Sequence, residues 1–273
     1  MTSPADEKTI AECLLRAYDE AGSLAPITRD APDFDVAAAY RVLAILDQRR
    51  MAQGWQPVGR KIGFTNTTIW PRYGVFQPMW AHMWSNTVHY AQGNNATLSL
   101  RTFARPRIEP EVVFRLRDAL PGTDDPRVAL DCVDWIAPGF EIVQSHFPDW
   151  KFTAADCTAA FGLHGALVIG TPVALDDGQR QRMAELLPRF ELTLRRDDDV
   201  IDRGIGANVL GGPAHALAHL ARVLSQQAGA PRLAAGEIVT TGTITDAWPV
   251  QPGETWRSDY GVLPLAGLQL SFS

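Results

Sequence analysis

The stretch RIEPEVVFRL, residues 107–116, alternates between apolar and charged side chains and predicts a β-strand. Successive strand residues point to opposite faces of a sheet, so one face carries Glu109 and Glu111, roughly 6–7 Å apart along the strand. Two carboxylates at that spacing can bind one hard cation such as Mg²⁺. The solvent-facing side of an amphipathic strand has the same pattern. The apolar face consists of Ile108, Pro110, Val112, Phe114 and Leu116.

Two further features bear on this strand. Pro110 lacks an N–H group for the ladder, which predicts an edge strand or a bulge. Downstream, the stretch GFEIVQSHF (139–147) places Glu141 among apolar residues of another predicted strand. A buried acid costs several kcal/mol unless it is paired or bound to a metal. A salt bridge would satisfy Glu141 as well as a metal ion would.

The remaining chain predicts an α+β fold. Residues 5–21 have helical spacing, and a second helix through 37–52 would be capped by Asp33 or Asp35 and end at Gly54. We therefore expect an N-terminal helical region over 1–56 and a catalytic domain over 57–273, built on mixed sheets because strands and helices do not alternate strictly. The other predicted helices cover 126–136, 178–187 and 213–228. The predicted strands cover 59–64, 107–116, 139–145, 163–170, 189–196, 236–242 and 267–272.

Composition narrows the partners and the compartment. The 273 residues carry a net charge of -6 without a basic stripe, which argues against nucleic acid as a partner. No apolar run approaches the roughly 18 residues that a membrane span needs, and no signal peptide is visible. The three cysteines are widely spaced, which favours a reducing compartment over a disulfide framework. The expectation is a cytoplasmic protein without a membrane partner.

Four segments in order identify a resemblance. They are GRKIGFTN (59–66), RIEPEVVF (107–114), GFEIVQSHFPDWK (139–151) and GEIVTTGTIT (236–245). Together they resemble the 2-keto-4-pentenoate hydratase branch of the fumarylacetoacetate-hydrolase superfamily, a branch that also contains 4-oxalocrotonate decarboxylases. The resemblance implies a roll of mixed β-sheets with an N-terminal helical region, assembled as a homo-oligomer of two or more chains.

The resemblance also implies a metal and a catalytic lysine. A Mg²⁺ or Mn²⁺ ion would be held by Glu109, Glu111 and Glu141, and a small 2-oxo acid would chelate it. Lys61 matches the lysine of the family's Gly-Arg-Lys-Ile-Gly stretch. Alone, a strand lysine is typically a surface residue; beside a metal-bound substrate it would support negative charge or carry a proton.

The substrate carboxylate and the proton donor have candidates as well. The resemblance implies that a hydroxyl-rich turn holds the carboxylate, formed by Thr241, Gly242 and Thr243. His82, His146 and His164 could each supply a proton near neutral pH. The prediction for a catalytic histidine is His146, because it follows Glu141 closely in sequence.

The sequence departs from the family pattern at polar positions. Met79, Ala160 and Phe161 stand where the family usually carries polar residues, and Gln144–His146 replaces its Asp-Ser-Arg. With Phe161 and Trp80 as expected substrate-binding walls, these changes predict a preference for substrates with an apolar tail.

The leading functional hypothesis is a hydro-lyase that adds water to a 2-hydroxy-2,4-dienoate, or to its 2-oxo-4-enoate tautomer, in aromatic-compound catabolism. Three alternatives stay open. They are a decarboxylase of a 2-oxo dicarboxylate, a C–C hydrolase of acylpyruvates, and a catalytically silent scaffold that binds a metabolite.

Overall fold

Helices dominate the N-terminal part of the chain and mixed β-sheets most of the rest. The computed structural model describes residues 4–273. The α-helices in this range are α1 (Pro4–Asp19), α2 (Ile27–Asp30), α3 (Val36–Ala52), α4 (Trp70–Tyr73), α5 (Pro126–Asp131), α6 (Ala154–Ala159), α7 (Asp177–Leu186) and α8 (Pro213–Gln226). The strands are β1 (Pro57–Gly63), β2 (Met79–Trp84), β3 (Val88–Tyr90), β4 (Asn95–Leu98), β5 (Arg107–Leu116), β6 (Val133–Val143), β7 (His164–Ile169), β8 (Val173–Ala174), β9 (Glu191–Arg196), β10 (Asp199–Ile205), β11 (Ile238–Thr240), β12 (Trp248–Pro249), β13 (Thr255–Asp259) and β14 (Gln269–Phe272).

The N-terminal helices share a core with the sheets. Asp35, one of the two predicted caps, begins α3: its carboxylate accepts a hydrogen bond from the Ala38 N–H. The buried face of α3, including Val42 and Leu46, belongs to the same apolar cluster as Phe147 from the segment after β6. The helical region therefore packs directly on the part of the chain that follows it. Within residues 4–273, every helix is too short or too polar to cross a bilayer.

The larger sheet places the glutamate-bearing strands in its interior. Its strand order is β2-β1-β11-β5-β6-β7-β3, with β12 added to β5 and β8 to β6. The β1–β11 and β3–β7 pairs are parallel and the others antiparallel. A second sheet has the order β10-β9-β13-β14-β4. The predicted mixed-sheet α+β fold is confirmed.

Pro110 lies in the interior strand β5, so the prediction of an edge strand or a bulge at this residue is wrong. Its carbonyl accepts a hydrogen bond from the Ile244 N–H at 3.0 Å. The N–H and C=O of one strand residue point to the same edge, so the missing N–H would also face this segment between β11 and β12. The ladder on that edge is interrupted there, and the proline leaves no partner unpaired.

The predicted boundary between helix 126–136 and strand 139–145 is also wrong. The helix ends at Asp131, and β6 begins at Val133 and runs to Val143. β6 pairs with β5 along nearly its whole length, from Val133 opposite Leu116 to Val143 opposite Arg107. This long-range pairing outweighs the short helical pattern around residues 133–136.

Candidate metal centre

Three glutamates converge on the face of the sheet formed by β5 and β6. Glu109 and Glu111 lie on one face of β5, as their spacing predicts, and Glu141 of β6 stands directly opposite Glu109 in the register. One carboxylate oxygen of each residue lies within 4.8 Å of the others. Like charges placed directly opposite each other destabilise a sheet, so this arrangement needs a compensating cation.

The two fully buried glutamates each have one oxygen held by the protein and one left over. The Gly242 N–H donates to Glu111 Oε2 at 2.6 Å, and His164 Nδ1 donates to Glu141 Oε1 at 2.7 Å. Glu111 Oε1 and Glu141 Oε2 are buried without a hydrogen-bond partner. Buried carboxylate oxygens are normally paired, and hard oxygen donors are what Mg²⁺ binds. The residues therefore fit a divalent cation.

Lys61 of β1 lies beside this cluster and is buried, which rules out the surface-residue alternative. Its Nζ lies 3.2 Å from Glu141 Oε2, an ion pair outside hydrogen-bond geometry, and donates to the Gly162 carbonyl at 3.0 Å. Burial by itself lowers the pKa of Lys61, but the nearby glutamates outweigh burial and raise it above its ordinary value. Lys61 is therefore an ammonium ion at neutral pH in the metal-free protein.

The three carboxyl groups differ in acidity. Burial raises the pKa of Glu109 from 4.5 to about 7, although the Lys61 ammonium opposes this change. Burial and the other two carboxylates raise the pKa of Glu111 well above 4.5. Burial also acts to raise the pKa of Glu141, but Lys61 and His164 outweigh it and lower the value to about 2. Without a cation, the cluster carries less than its full negative charge at neutral pH.

These shifts predict a pH-dependent loss of stability in the metal-free protein. A carboxyl group with a raised pKa contributes stability that is fully present below its unfolded value, 4.5, and is lost as pH rises through its folded value, about 7 for Glu109. For Glu109 the loss is on the order of 3 kcal/mol, at about 1.4 kcal/mol per pKa unit. The lowered pKa of Glu141 contributes stability that is present above its unfolded value, 4.5, and is lost as pH falls towards about 2, so this contribution is nearly constant above about pH 5.

Urea unfolding in EDTA at about pH 5 and about pH 8 measures this loss, with Glu109→Gln as the matched variant that cannot titrate at this position. We expect wild type to lose more stability than the variant between the two pH values, and Mg²⁺ to restore wild type at about pH 8. Equal pH dependence in the two proteins would contradict the raised pKa of Glu109.

A small cavity, with about 30 Å³ open to the centre of a water-sized sphere, opens onto the cluster. It is lined by Lys61, Gly63, Phe64, Thr65, Asn66, Ile69, Glu109, Val143, Trp150, Gly162, Leu163, Gly242, Thr243 and Ala247. Of the predicted carboxylate-binding turn, Gly242 and Thr243 line the cavity. Thr241 does not line it, because its buried hydroxyl donates to the Val112 carbonyl at 3.0 Å. Gly242 has φ +96°, and a side chain there would collide with the Thr65 hydroxyl.

The other three predicted site residues do not line this cavity. The His146 ring contacts the Gly22 carbonyl at 3.1 Å, on the side facing the N-terminal helices. Phe161 packs against Tyr18 with ring centroids 4.9 Å apart. Trp80 belongs to a different groove, where its Nε1 donates to Gln227 Oε1 at 2.9 Å. His146 and Phe161 therefore pack against the N-terminal helical region, and Trp80 contacts the residue that follows α8.

The cavity has apolar walls, but the residues that form them are not the ones predicted from departures from the family pattern. Met79, Ala160 and Phe161, which stand at usually polar family positions, are buried in the apolar cluster under the N-terminal helices. The apolar walls come instead from Phe64, Ile69, Val143, Trp150, Leu163 and Ala247. Asp149 and Trp150 both have φ +56°, and such strained backbone is common at functional sites.

Comparisons with known proteins show what this chain is similar to. A family model described as "Fumarylacetoacetate (FAA) hydrolase C-terminal" matches residues 72–264. The chain is 31% identical to a 2-keto-4-pentenoate hydratase of Paraburkholderia xenovorans, over 93% of this chain and 91% of the relative. It is 28% identical to a 4-oxalocrotonate decarboxylase of Pseudomonas sp. CF600, over 90% and 89%. The solved 4-oxalocrotonate decarboxylase of Pseudomonas putida G7, complexed with magnesium and adipate, has a similar fold, with a TM-score of 0.89, 23% identity, and coverage of 100% and 99%.

Proposed function

The chain belongs to the fumarylacetoacetate hydrolase family, and from this premise we propose that it is a Mg²⁺- or Mn²⁺-dependent hydratase. The substrate would be a 2-hydroxy-2,4-dienoate or its 2-oxo-4-enoate tautomer, of the kind formed in aromatic-compound catabolism. One observation carries the proposal: Glu111 and Glu141, each with a buried oxygen that has no hydrogen-bond partner, form one cluster with Glu109, which lines the cavity together with the buried Lys61. Such an arrangement suits a small chelating acid.

The ligands of the ion would be Glu109, Glu111 and Glu141. When bound, the ion supplies Lewis acidity to the oxygen at carbon 2. Hydration requires the hydroxyl proton to leave that oxygen, a proton to reach carbon 5, and water to add across carbons 3 and 4, with its hydroxyl on carbon 4 and a proton on carbon 3. The Lys61 ammonium would stabilise negative charge on the substrate and carry a proton, since it lines the cavity and is held in place by the Gly162 carbonyl.

The rest of the cavity would bind and orient the substrate. Gly242 and Thr243 line the part of the cavity proposed for the substrate carboxylate, and the Thr243 hydroxyl, which donates to the Thr245 carbonyl at 3.1 Å, would turn to the substrate on binding. Trp150, Ile69 and Leu163 offer apolar area to a tail, worth about 25 cal/mol per Å² covered. Replacing water around the reacting carbons with these side chains would also strengthen the charge interactions of Lys61.

A second candidate is decarboxylation of a 2-oxo dicarboxylate. The 28% identity to a 4-oxalocrotonate decarboxylase over 90% of the chain favours it. When CO₂ departs from the distal end, its bond pair stays on the carbon chain and is delocalised onto the oxygen at carbon 2, where the same ion and the same lysine would stabilise the negative charge. The two reactions therefore differ in whether water is added or CO₂ is released. The metal ligands and the lysine that stabilise negative charge would be the same in both.

Product analysis distinguishes these candidates. The purified protein with Mg²⁺ is incubated with 2-hydroxydienoates that carry hydrogen, alkyl or carboxylate tails, and with 4-oxalocrotonate. A hydratase converts the dienoates to 4-hydroxy-2-oxo acids, each one water heavier by mass spectrometry, and a decarboxylase releases CO₂. We expect hydration, with larger kcat/KM for an alkyl than for a carboxylate tail because of the apolar walls. Turnover of 4-oxalocrotonate alone would overturn the hydratase assignment.

The proposal includes the setting of the enzyme. We place it in the cytoplasm as a homo-oligomer, with residues 57–273 as the catalytic domain and 1–56 as an accessory helical region. The three free cysteines suit a reducing compartment. Size-exclusion chromatography with light scattering tests the assembly.

A further inference from the structure

We propose that His164 is a positioning residue which fixes Glu141 as a metal ligand through a single oxygen. The inference rests on the metal site of the proposed function. Its starting point is the 2.7 Å hydrogen bond from His164 Nδ1 to Glu141 Oε1, between two side chains with almost no exposed surface. With Oε1 occupied, Glu141 can offer only Oε2, the oxygen left without a hydrogen-bond partner.

A β-bulge brings His164 to the glutamate. In the β6–β7 pair, Glu141 lies opposite Leu167 and Ile142 opposite Ala166, but Val143 lies opposite His164. Gly165 is the extra residue. Without this insertion, alternation would turn the His164 side chain to the Ile142 face, which packs in the apolar core. The bulge therefore re-aims the histidine to the face that carries the cluster.

Residue 165 must be glycine for this bulge to form. A Cβ atom at Gly165 would lie 2.7 Å from the Ile142 carbonyl oxygen and 2.9 Å from the Phe103 ring. Real Cβ atoms do not approach backbone atoms so closely. Gly165 thus permits the bulge, and the bulge sets the position of the His164 imidazole ring.

The other ring nitrogen of His164 is held as well. Its Nε2 lies 2.9 Å from the Thr87 hydroxyl, which itself contacts the Trp84 carbonyl at 3.1 Å. Both ring nitrogens therefore have partners, and the ring has one orientation. Because the Glu141 carboxylate can only accept, Nδ1 carries the proton in this pair. A fixed donor of this kind orients a ligand and tunes its affinity for the metal.

Glu111 has a corresponding arrangement with a different donor. There the Gly242 N–H holds Oε2 and leaves Oε1 free. Two ligands with one free oxygen each leave more positions on an octahedral ion for water and substrate than two bidentate ligands would. The positioning role of His164 follows from this geometry: it keeps Glu141 from closing on the ion with both oxygens.

The test compares two substitutions by Mn²⁺ titration, with free Mn²⁺ measured by electron paramagnetic resonance. His164→Leu removes the donor, whereas His164→Asn can place an amide N–H near the position of Nδ1. We expect the leucine variant to bind Mn²⁺ about 10–100-fold more weakly than wild type, the range for loss of such partners, and the asparagine variant to recover most of the affinity. His89→Leu, a change at an exposed histidine, is the matched control and should bind as wild type does.

Three outcomes decide the inference. Wild-type affinity in a folded His164→Leu protein overturns it, and so does an asparagine variant that is as weak as the leucine variant. If the leucine variant does not fold, Thr87→Val replaces it: loss of the Nε2 partner should weaken Mn²⁺ binding several-fold, and unchanged affinity there overturns the inference. Normal binding by Glu111→Gln would mean instead that the metal site itself is wrong.

Discussion

Replacement of Glu111 by glutamine is expected to weaken Mg²⁺ binding at least about a hundredfold, or about 2.8 kcal/mol at 1.4 kcal/mol per tenfold change. The reason lies in the Gly242 N–H, which donates to Glu111 Oε2 at 2.6 Å. A glutamine must turn its amide oxygen towards this donor, since its NH₂ group would oppose another donor there. The NH₂ group then occupies the position of Oε1, where it cannot bind a cation.

Isothermal titration calorimetry with Mg²⁺, supported by Mn²⁺ resonance titration, measures the change. Glu20→Gln is the matched control, because Glu20 is exposed and lies outside the cluster. Circular dichroism of both variants in EDTA checks that the fold is retained. The metal-centre assignment is wrong if a folded Glu111→Gln protein binds Mg²⁺ with the affinity of wild type.

The metal cluster illustrates which features of a site are local. Strand alternation is a property of consecutive residues, so RIEPEVVF alone places Glu109 and Glu111 on one face. The position of Glu141 opposite Glu109 depends on the register of β5 against β6, which pairs residues that are far apart in the sequence. From the sequence, either a metal ion or a salt bridge could account for a buried Glu141. In the structure Glu141 has an ion pair to Lys61 and belongs to the cluster as well.

The histidines show why proximity in sequence misleads. His146 follows Glu141 by five residues, but β6 ends at Val143, before His146 is reached. The His146 ring points towards the N-terminal helices. His164 lies on the next strand, and only the bulge at Gly165 brings it to Glu141. A Gly after a His in a strand pattern is a weak signal for such a bulge. Periodicity alone would have placed His164 on the opposite face.

The apolar substitutions show the same limit for the cavity. Departures from the family pattern at Met79 and Phe161 suggested substrate contacts, yet both side chains pack in the core beneath α3. Trp150 reaches the cavity through two successive residues with positive φ, a conformation that no alternation pattern predicts. Chemistry carried by a strand was accessible from the sequence, whereas walls built by irregular segments required the structure.

Replacement of Lys61 by methionine is expected to lower kcat and kcat/KM together by about 10²–10⁴-fold, the range for loss of a group that transfers a proton or stabilises charge in the transition state. Methionine keeps most of the length of the buried stem, so packing beside Gly162 should survive. The substitution also removes a positive charge 3.2 Å from Glu141 Oε2, and with it a repulsion towards any cation in the cluster. Metal binding should therefore be as tight as in wild type, or tighter.

Lower turnover with unchanged or tighter metal binding would distinguish the role of Lys61 from that of the glutamates. Loss of a glutamate should abolish metal binding and turnover together. Steady-state kinetics at saturating Mg²⁺ and at about pH 8, with metal affinity measured in parallel, tests it. Lys8→Met is the matched control, because Lys8 is exposed on α1 and its loss should change neither quantity. Normal turnover by a folded Lys61→Met enzyme would show that the ammonium only balances the charge of the carboxylates. A loss of metal affinity equal to the loss of turnover would show that Lys61 acts on the cluster rather than on the substrate.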